Sequence, residues 1–211
     1  DTRANNTGSF QFEEELATSY EIGSKMSLLD GAAELNVALY HTEYDDLQTS
    51  QFDGILGFNV TNAGKATTQG LEIDGRWQAA ESLMVTFAAG YLDFEFDEFP
   101  NSQCYFGEEP NGGAAFPGLC NREGERREFT PEITANIGGE YYFDVGRQME
   151  GTVGVDLIYS DDYFVSPTLD PNLEQGSYVK LNARIGLASN EGTWNVSLLL
   201  ENITDEEVLT F

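Results

Sequence analysis

The chain has 211 residues, with 37 Asp and Glu against 10 Lys and Arg, and a formal net charge of −27. That balance excludes a nucleic-acid partner and a polybasic membrane anchor, because both need a basic surface. An apolar fraction of 40% with 12% aromatic residues excludes a solvated acidic disordered chain, and no apolar run reaches the ~18 residues of a transmembrane helix.

Period-two alternation dominates the chain and marks strands with two unlike faces. Tyr20, Ile22, Met26 and Leu28 alternate with Glu21, Gly23, Lys25 and Ser27. After a short turn at Asp30-Gly31 come Leu35, Val37 and Leu39, set against Glu34 and Asn36. A long connection over 45–66 leads to Leu71, Ile73 and Trp77, which alternate with Glu72, Asp74, Arg76 and Gln78. A short link near 79–82 opens the stretch 83–99, where Val85, Phe87, Ala89 and Tyr91 share one face. The pattern then inverts, with Phe94 and Phe96 opposite Asp93, Glu95 and Asp97, and a bulge near Tyr91 is expected there. Beyond a long loop over 98–128, Ile133, Ala135, Ile137, Tyr141 and Phe143 alternate with Thr134, Asn136, Gly138 and Glu140. A short link at 144–148 precedes Val153, Val155, Leu157 and Tyr159, set against Thr152, Gly154, Asp156 and Ser160. A long connection over 161–177 follows. Val179, Leu181, Ala183, Ile185 and Leu187 then alternate with Lys180, Asn182, Arg184 and Gly186. The turn Asn190-Glu191-Gly192 leads to Trp194, Val196, Leu198 and Leu200, a pattern that Leu199 breaks.

The count is eight strands, joined alternately by short and long connections. This is an all-β, antiparallel, up-and-down meander with its short turns at one end and its long loops at the other. A transmembrane β-barrel has that bias. Two details favour a membrane barrel over a soluble sandwich. Alternation over 133–143 lasts eleven residues, near the ~9–11 that a tilted strand needs to cross a bilayer. Aromatics gather near the short turns (Trp77, Tyr141, Tyr142, Phe143 and Trp194) as an interfacial girdle would. The polar face carries Lys25, Glu72, Asp74, Arg76, Glu140, Asp156, Lys180, Arg184 and Glu201. A wide wet lumen accommodates such mixed charge at lower cost than the filled interior of a small closed barrel.

Four segments carry a family resemblance. Asn62-Ala63-Gly64-Lys65-Ala66 with Gly70-Leu71-Glu72-Ile73-Asp74-Gly75 is similar to the "N-x-G-x-A…G-x-E" strand of TonB-dependent outer-membrane receptors. Ser19 to Lys25 resembles the family's "E-x-G-x-K" strand, and Leu39 to Gln48 the "Y-x-x-x-Y-x-D-x-Q" strand after it. Leu199-Leu200-Glu201-Asn202-Ile203-Thr204-Asp205-Glu206 resembles the "V-x-N-L-T-D" penultimate strand. The four occur in the family's order across nearly the whole chain. The resemblance implies a 22-stranded barrel with a plugged lumen, in the outer membrane of a Gram-negative bacterium. It implies uptake of a siderophore, haem, cobalamin or an oligosaccharide, driven by TonB–ExbB–ExbD. The partners implied are outer-membrane lipid, the rest of the barrel and the plug. On this reading residues 1–211 are a C-terminal portion of the barrel, with the plug and the final strand outside it. The alternative is a secreted soluble acidic β-module that binds carbohydrate or Ca²⁺ or self-assembles.

Cys104 and Cys120 lie 16 positions apart in a Gly/Pro/Asn-rich stretch, and a disulfide is expected between them. In the chain-entropy model it contributes about 3 kcal/mol. The surrounding loop is the candidate ligand site, since long loops on a rigid scaffold are where ligands bind. It holds Tyr105, Phe106, Phe116, Arg122, Arg126 and Arg127, a set suited to an anionic chelate or a sugar. Acidic groups at Glu43, Asp45 and Asp46, at Glu108-Glu109, at Asp161-Asp162 and at Asp205-Glu206-Glu207 read as a solvated rim, with Ca²⁺ binding as the other reading. No nucleophile–base pair, glycine-rich phosphate loop or metal-ligand spacing is present, so neither an enzyme nor a cofactor is expected.

Overall fold

The structure is a computed structural model that describes residues 12–52 and 58–210. Its strands are β1 (Leu16–Leu28), β2 (Ala33–Asp45), β3 (Gln48–Phe52), β4 (Phe58–Asn62), β5 (Lys65–Ala80) and β6 (Leu83–Glu98), followed by β7 (Ile133–Val145), β8 (Met149–Ser160), β9 (Tyr163–Phe164), β10 (Glu174–Gln175), β11 (Tyr178–Ser189) and β12 (Asn195–Leu200). Eight of them form one antiparallel sheet in the order β1-β2-β5-β6-β7-β8-β11-β12. The sheet is the expected meander. The ribbons β3–β4 and β9–β10 are built inside two of the long connections.

Alternation sorts the side chains as expected, but none of the described residues packs on the apolar face. Ile22, Leu39, Ile137, Leu157, Ile185 and Leu198 all lie exposed. A large aliphatic side chain left in water forgoes about 1.5–3 kcal/mol of burial, so a continuous face of them needs an apolar partner. A soluble sandwich would have folded this face inward. The buried apolar residues (Leu47, Ala63, Ala66, Phe96, Phe99, Val165 and Leu169 among them) sit instead at the long-loop end.

The strands are also tilted. One hydrogen-bonded row begins at Ala33, the first residue of β2, and runs through Trp77, Val85, Gly139, Val155 and Ala183 to Leu200, the last residue of β12. The strands therefore climb about five residues over six strand spacings, roughly 16 Å over 29 Å, a tilt of about 30°. Closed barrels tilt by about 35–45°. From Ile133 to Phe143 the apolar face of β7 then rises about 28 Å, close to the ~25 Å apolar band of an outer-membrane barrel.

One expectation is corrected. There is no bulge at Tyr91: Leu71 pairs Tyr91, Gln69 pairs Asp93 and Thr67 pairs Glu95 in unbroken register. The shift comes later, between Lys65 and Ala66. Apolar residues change sides because the surroundings change. Below Tyr91 the apolar face needs an apolar partner and the other face is polar. Above it Asp93 and Glu95 continue on the first face, while Phe94 and Phe96 turn under the loops and pack with Leu47, Ala63, Ala66 and Phe99.

Two family-like motifs act on the backbone. Asn62 donates from Nδ2 to the Asp46 carbonyl at 2.6 Å and the Glu13 carbonyl at 3.1 Å, tying the start of the first long connection to the N-terminal segment. Gly70 faces Tyr40 across β2 and β5, where an added Cβ would stand 2.5 Å from the Tyr40 hydroxyl and 2.2 Å from the Tyr91 carbonyl oxygen. Phe87 covers Gly75, and Phe143 covers Gly151, in the same cross-strand manner. Gly70→Val is expected to cost about 3 kcal/mol, since backbone and ring must both move. It would show as a fall in the folded, heat-modifiable fraction of the full-length protein. Wild-type assembly of this variant would mean that the Tyr40–Gly70 fit is not needed.

Candidate functional site

The long connections meet above the polar face and form a stitched cap. Cys104 and Cys120 are joined in a disulfide, as expected, with Cys120 fully buried. Between them Glu108 turns back to Arg122. Arg122 Nη1 donates to Glu108 Oε1 at 2.7 Å and Nη2 donates to Oε2 at 2.6 Å. Nη2 also donates to the carbonyls of Gln103 at 3.2 Å and Thr168 at 2.7 Å. Only 5% of the Arg122 side chain is exposed. Its two Nη atoms thus join the 99–132 loop to the 161–177 segment, while its buried Nε has no hydrogen-bond partner among the described residues.

Arg126 makes a second joint. It is hydrogen-bonded to the Asp162 carboxylate, donates to the Asp162 carbonyl at 3.1 Å, lies 3.5 Å from Glu174, and stacks over Phe164 at 5.1 Å. Arg127 pairs with its neighbour Glu128 at 3.7 Å. All three arginines proposed from sequence as ligand contacts therefore face carboxylates of this chain. Glu108 and Asp162 belong to acidic runs that read as a solvated rim, and no local pattern marks Glu174 or pairs any of them with an arginine. Of the aromatics, Phe106 is fully exposed, while Tyr105 and Phe116 are half-buried. The Tyr105 amide donates to Glu108 at 2.9 Å.

The hydrogen bond from Arg126, helped by its charge, holds the Asp162 carboxyl below its ordinary value of 3.8. A carboxyl depressed on folding stabilises the folded joint above its unfolded value and loses that contribution as pH falls through the depressed value. The joint between Arg126 and the β9–β10 ribbon should thus hold just above the ordinary carboxyl value and open as pH falls well below it. Pepsin cleavage within 161–175 tests this. Wild type should resist at the higher pH and be cut at the lower, and Arg126→Gln should be cut at both. Equal resistance of the variant at the higher pH would remove the role given to this pair.

At the opposite end, Trp77, Tyr141, Phe143 and Trp194 are exposed on or beside the apolar face near the short turns, and the Tyr141 and Phe143 rings stack 6.1 Å apart. Tyr142 departs from the set. Alternation turns it to the polar face, where its hydroxyl donates to Glu140 Oε2 at 2.6 Å. That face is crossed by further polar pairs: Arg76 to Glu34 at 2.7 Å, Asn36 to Asp74 at 2.8 Å, and Arg184 with Glu140. His41 lies on the other face of β2, 3.5 Å from Glu43. Among the described residues, one grouping of metal-type ligands occurs, Cys104, Glu108 and Cys120, and its two sulphurs are bonded to each other.

Comparison with known proteins adds a family. A family model described as "TonB dependent receptor-like, beta-barrel" matches residues 1–203. The pesticin receptor of Yersinia enterocolitica is 24% identical over 205 residues, covering 95% of this chain and 26% of that protein. The metal-pseudopaline receptor of Pseudomonas aeruginosa strain UCBPP-PA14 is 31% identical over 181 residues, covering 85% and 22%. Among solved structures, the ferric yersiniabactin uptake receptor of Yersinia pestis superposes with a TM-score of 0.67 at 19% identity, over 91% of this chain and 25% of that one. The siderophore receptor PiuA of Acinetobacter baumannii gives 0.64 at 21% identity, over 90% and 24%. The chain spans about a quarter of the length of the relatives it matches.

Proposed function

Because the chain belongs to the TonB-dependent receptor β-barrel family, we propose that it is one section of an outer-membrane receptor barrel that imports a metal chelate. The observation that carries this reading is the bare, tilted apolar face beneath a stitched loop cap. Lipid is the partner that such a face fits, and Trp77, Tyr141, Phe143 and Trp194 are placed to sit at its inner interface. The edge strands β1 and β12 leave N–H and C=O groups unpaired in this sheet. Unpaired edges do not persist in lipid, so both edges join further strands of a barrel of about 22. A plug fills the lumen and TonB–ExbB–ExbD supplies the energy. A metal chelate is favoured as cargo over haem, cobalamin or an oligosaccharide because the relatives include receptors for metal-pseudopaline and for ferric yersiniabactin.

The test uses cells that carry the full-length receptor as their one route for a radiolabelled ferric chelate. Uptake should require detergent-extractable receptor in the outer membrane and stop when TonB is deleted or the proton-motive force is collapsed. Uptake that persists without TonB, or recovery of the receptor as a water-soluble protein, would rule the reading out.

A further inference from the structure

On the outer face of the sheet, the apolar surface stops within one step at the long-loop end. Its last row is Ile22–Leu39–Leu71–Tyr91–Ile133. The next row up is Tyr20–His41–Gln69–Asp93, and above it comes Thr18–Glu43–Thr67–Glu95. A groove of about 550 Å³ lies across this boundary. Leu39 and Leu71 lie along its middle, and His41, Gln69 and Asp93 form its upper lip. Tyr20 on β1 and Tyr91 on β6 flank it, three strand spacings or roughly 14 Å apart. Both rings are exposed. An aromatic ring with a polar tip suits the level where hydrocarbon gives way to headgroups. Tyr20 and Tyr91 therefore mark the outer edge of the apolar band, as Trp77, Tyr141 and Trp194 mark the inner one.

Charge selects the headgroup. Gln69 donates to Asp93 Oδ2 at 3.0 Å and Thr67 donates to Asp97 Oδ2 at 2.7 Å, which fixes both carboxylates on this wall. Glu43 and Glu95 share the row between them in height. Lys65 belongs to the same wall and is paired with Asp45 at 3.1 Å. A headgroup whose only charge is a phosphate is repelled by such a lip. The carboxylates are also spaced rather than convergent. Asp93, Glu95 and Asp97 follow at alternate positions of β6, about 7 Å apart, and Glu43 and Glu95 stand two strand spacings apart, roughly 10 Å, with Thr67 between them. A Ca²⁺ ion gathers six to eight oxygens at about 2.3–2.6 Å, which this spacing does not supply. A primary ammonium carries three donors and is satisfied by single carboxylates, and a tyrosine ring face attracts it further.

We propose that this groove seats one lipid whose headgroup carries a primary ammonium, with an acyl chain along Leu39 and Leu71 between the two tyrosines and the ammonium on Asp93. The proposal rests on the receptor reading above, which gives the apolar face to lipid at large. It adds one position on that face, the headgroup chemistry taken there and the residue that selects it.

The experiment counts lipids retained on purified full-length receptor by native mass spectrometry. The receptor, in a non-ionic detergent, meets equal amounts of phosphatidylethanolamine, phosphatidylcholine and phosphatidylglycerol with identical acyl chains. One phosphatidylethanolamine per receptor should be retained, at least about fivefold over phosphatidylglycerol. Phosphatidylcholine, whose ammonium has no N–H to donate, should be retained less than phosphatidylethanolamine. Asp93→Asn keeps the shape of the lip and should lower the fivefold ratio to about twofold. Leu71→Trp, which fills the groove, should remove the retained lipid whatever its headgroup. Both variants should keep the wild-type heat-modifiable fraction, and Asp156→Asn on the opposite face should retain lipid as wild type does. Equal retention of phosphatidylglycerol, or retention indifferent to Asp93→Asn or to Leu71→Trp, would overturn the groove proposal and leave the receptor reading intact. Loss of the lipid on adding EDTA would overturn it too, by assigning the lip to a divalent ion. A receptor that retains no lipid and stays in solution without detergent would take down the receptor reading as well.

Discussion

Ile137→Arg in the full-length protein should abolish most of its assembly, whereas Asn136→Arg, one residue away, should assemble at the wild-type level. Ile137 lies on the apolar face of β7 between Phe87 and Leu157. It sits near mid-height of that face, where Arg on the lipid side of a barrel costs about 2–4 kcal/mol. Asn136 points to the opposite face beside Ala88 and Ile158, where a long cationic side chain meets water and the carboxylates of neighbouring rows. The paired design removes every explanation based on strand propensity or loop position, because the two sites share both. The folded, heat-modifiable fraction in outer-membrane preparations is the readout. A thiol-labelling experiment gives the same answer independently. Ile137→Cys should react with a lipid-soluble maleimide only, and Asn136→Cys with a water-soluble one. Equal assembly of the two Arg variants, or labelling in the reverse order, would mean that the faces have been assigned the wrong way round.

The parts of this structure that were legible in sequence are those governed by period two. Val179 to Leu187 needs nothing but alternation to declare two faces, and the alternating loop lengths put short and long connections at opposite ends. The disulfide was legible because the chain holds two cysteines and no other use for them. Legibility fails where the environment changes along one strand. Phe94 and Phe96 look like a register break, yet they sit on the same polar-side face as Gly90, now covered by loops. Residues 45–66 read as one long connection, yet Lys65 and Ala66 already belong to β5, in register with Asp45 and Tyr44 of β2. Tyr142 was grouped with its aromatic neighbours, although alternation alone would have turned it away. In the cap the failure is one of distance. Arg122 finds Thr168 and Arg126 finds Asp162 and Glu174 across dozens of residues, and no local pattern encodes such pairs. An arginine beside an aromatic in a loop suggests a ligand, and in this fold each of the three also faces a carboxylate of the chain.

Arg122→Met should release the cap without unfolding the sheet. The substitution removes both hydrogen bonds to Glu108 and leaves that carboxylate, 15% exposed, without its partner. Breaking a buried pair in this way costs about 3–5 kcal/mol, more than the pair contributes over an apolar replacement. The loss falls on the cap because the sheet's register bonds are made elsewhere, and because the disulfide still closes the loop between 104 and 120. Protease should therefore cut within 99–132 at low concentration while the heat-modifiable band of the barrel remains. Combining Arg122→Met with Glu108→Gln should recover part of the resistance, since no charge is then stranded. Arg122→Lys should not. One ammonium cannot bridge both Glu108 oxygens and also reach the carbonyls of Gln103 and Thr168, which the planar fork does at once. The link to Thr168 is one of the joints between the 99–132 loop and the 161–177 segment, beside those that Arg126 and the Phe129 amide make. In Arg122→Met, cleavage should thus appear in both segments together. Cleavage confined to 99–132, or wild-type resistance in Arg122→Lys, would show that the guanidinium holds its own loop and does not join the two.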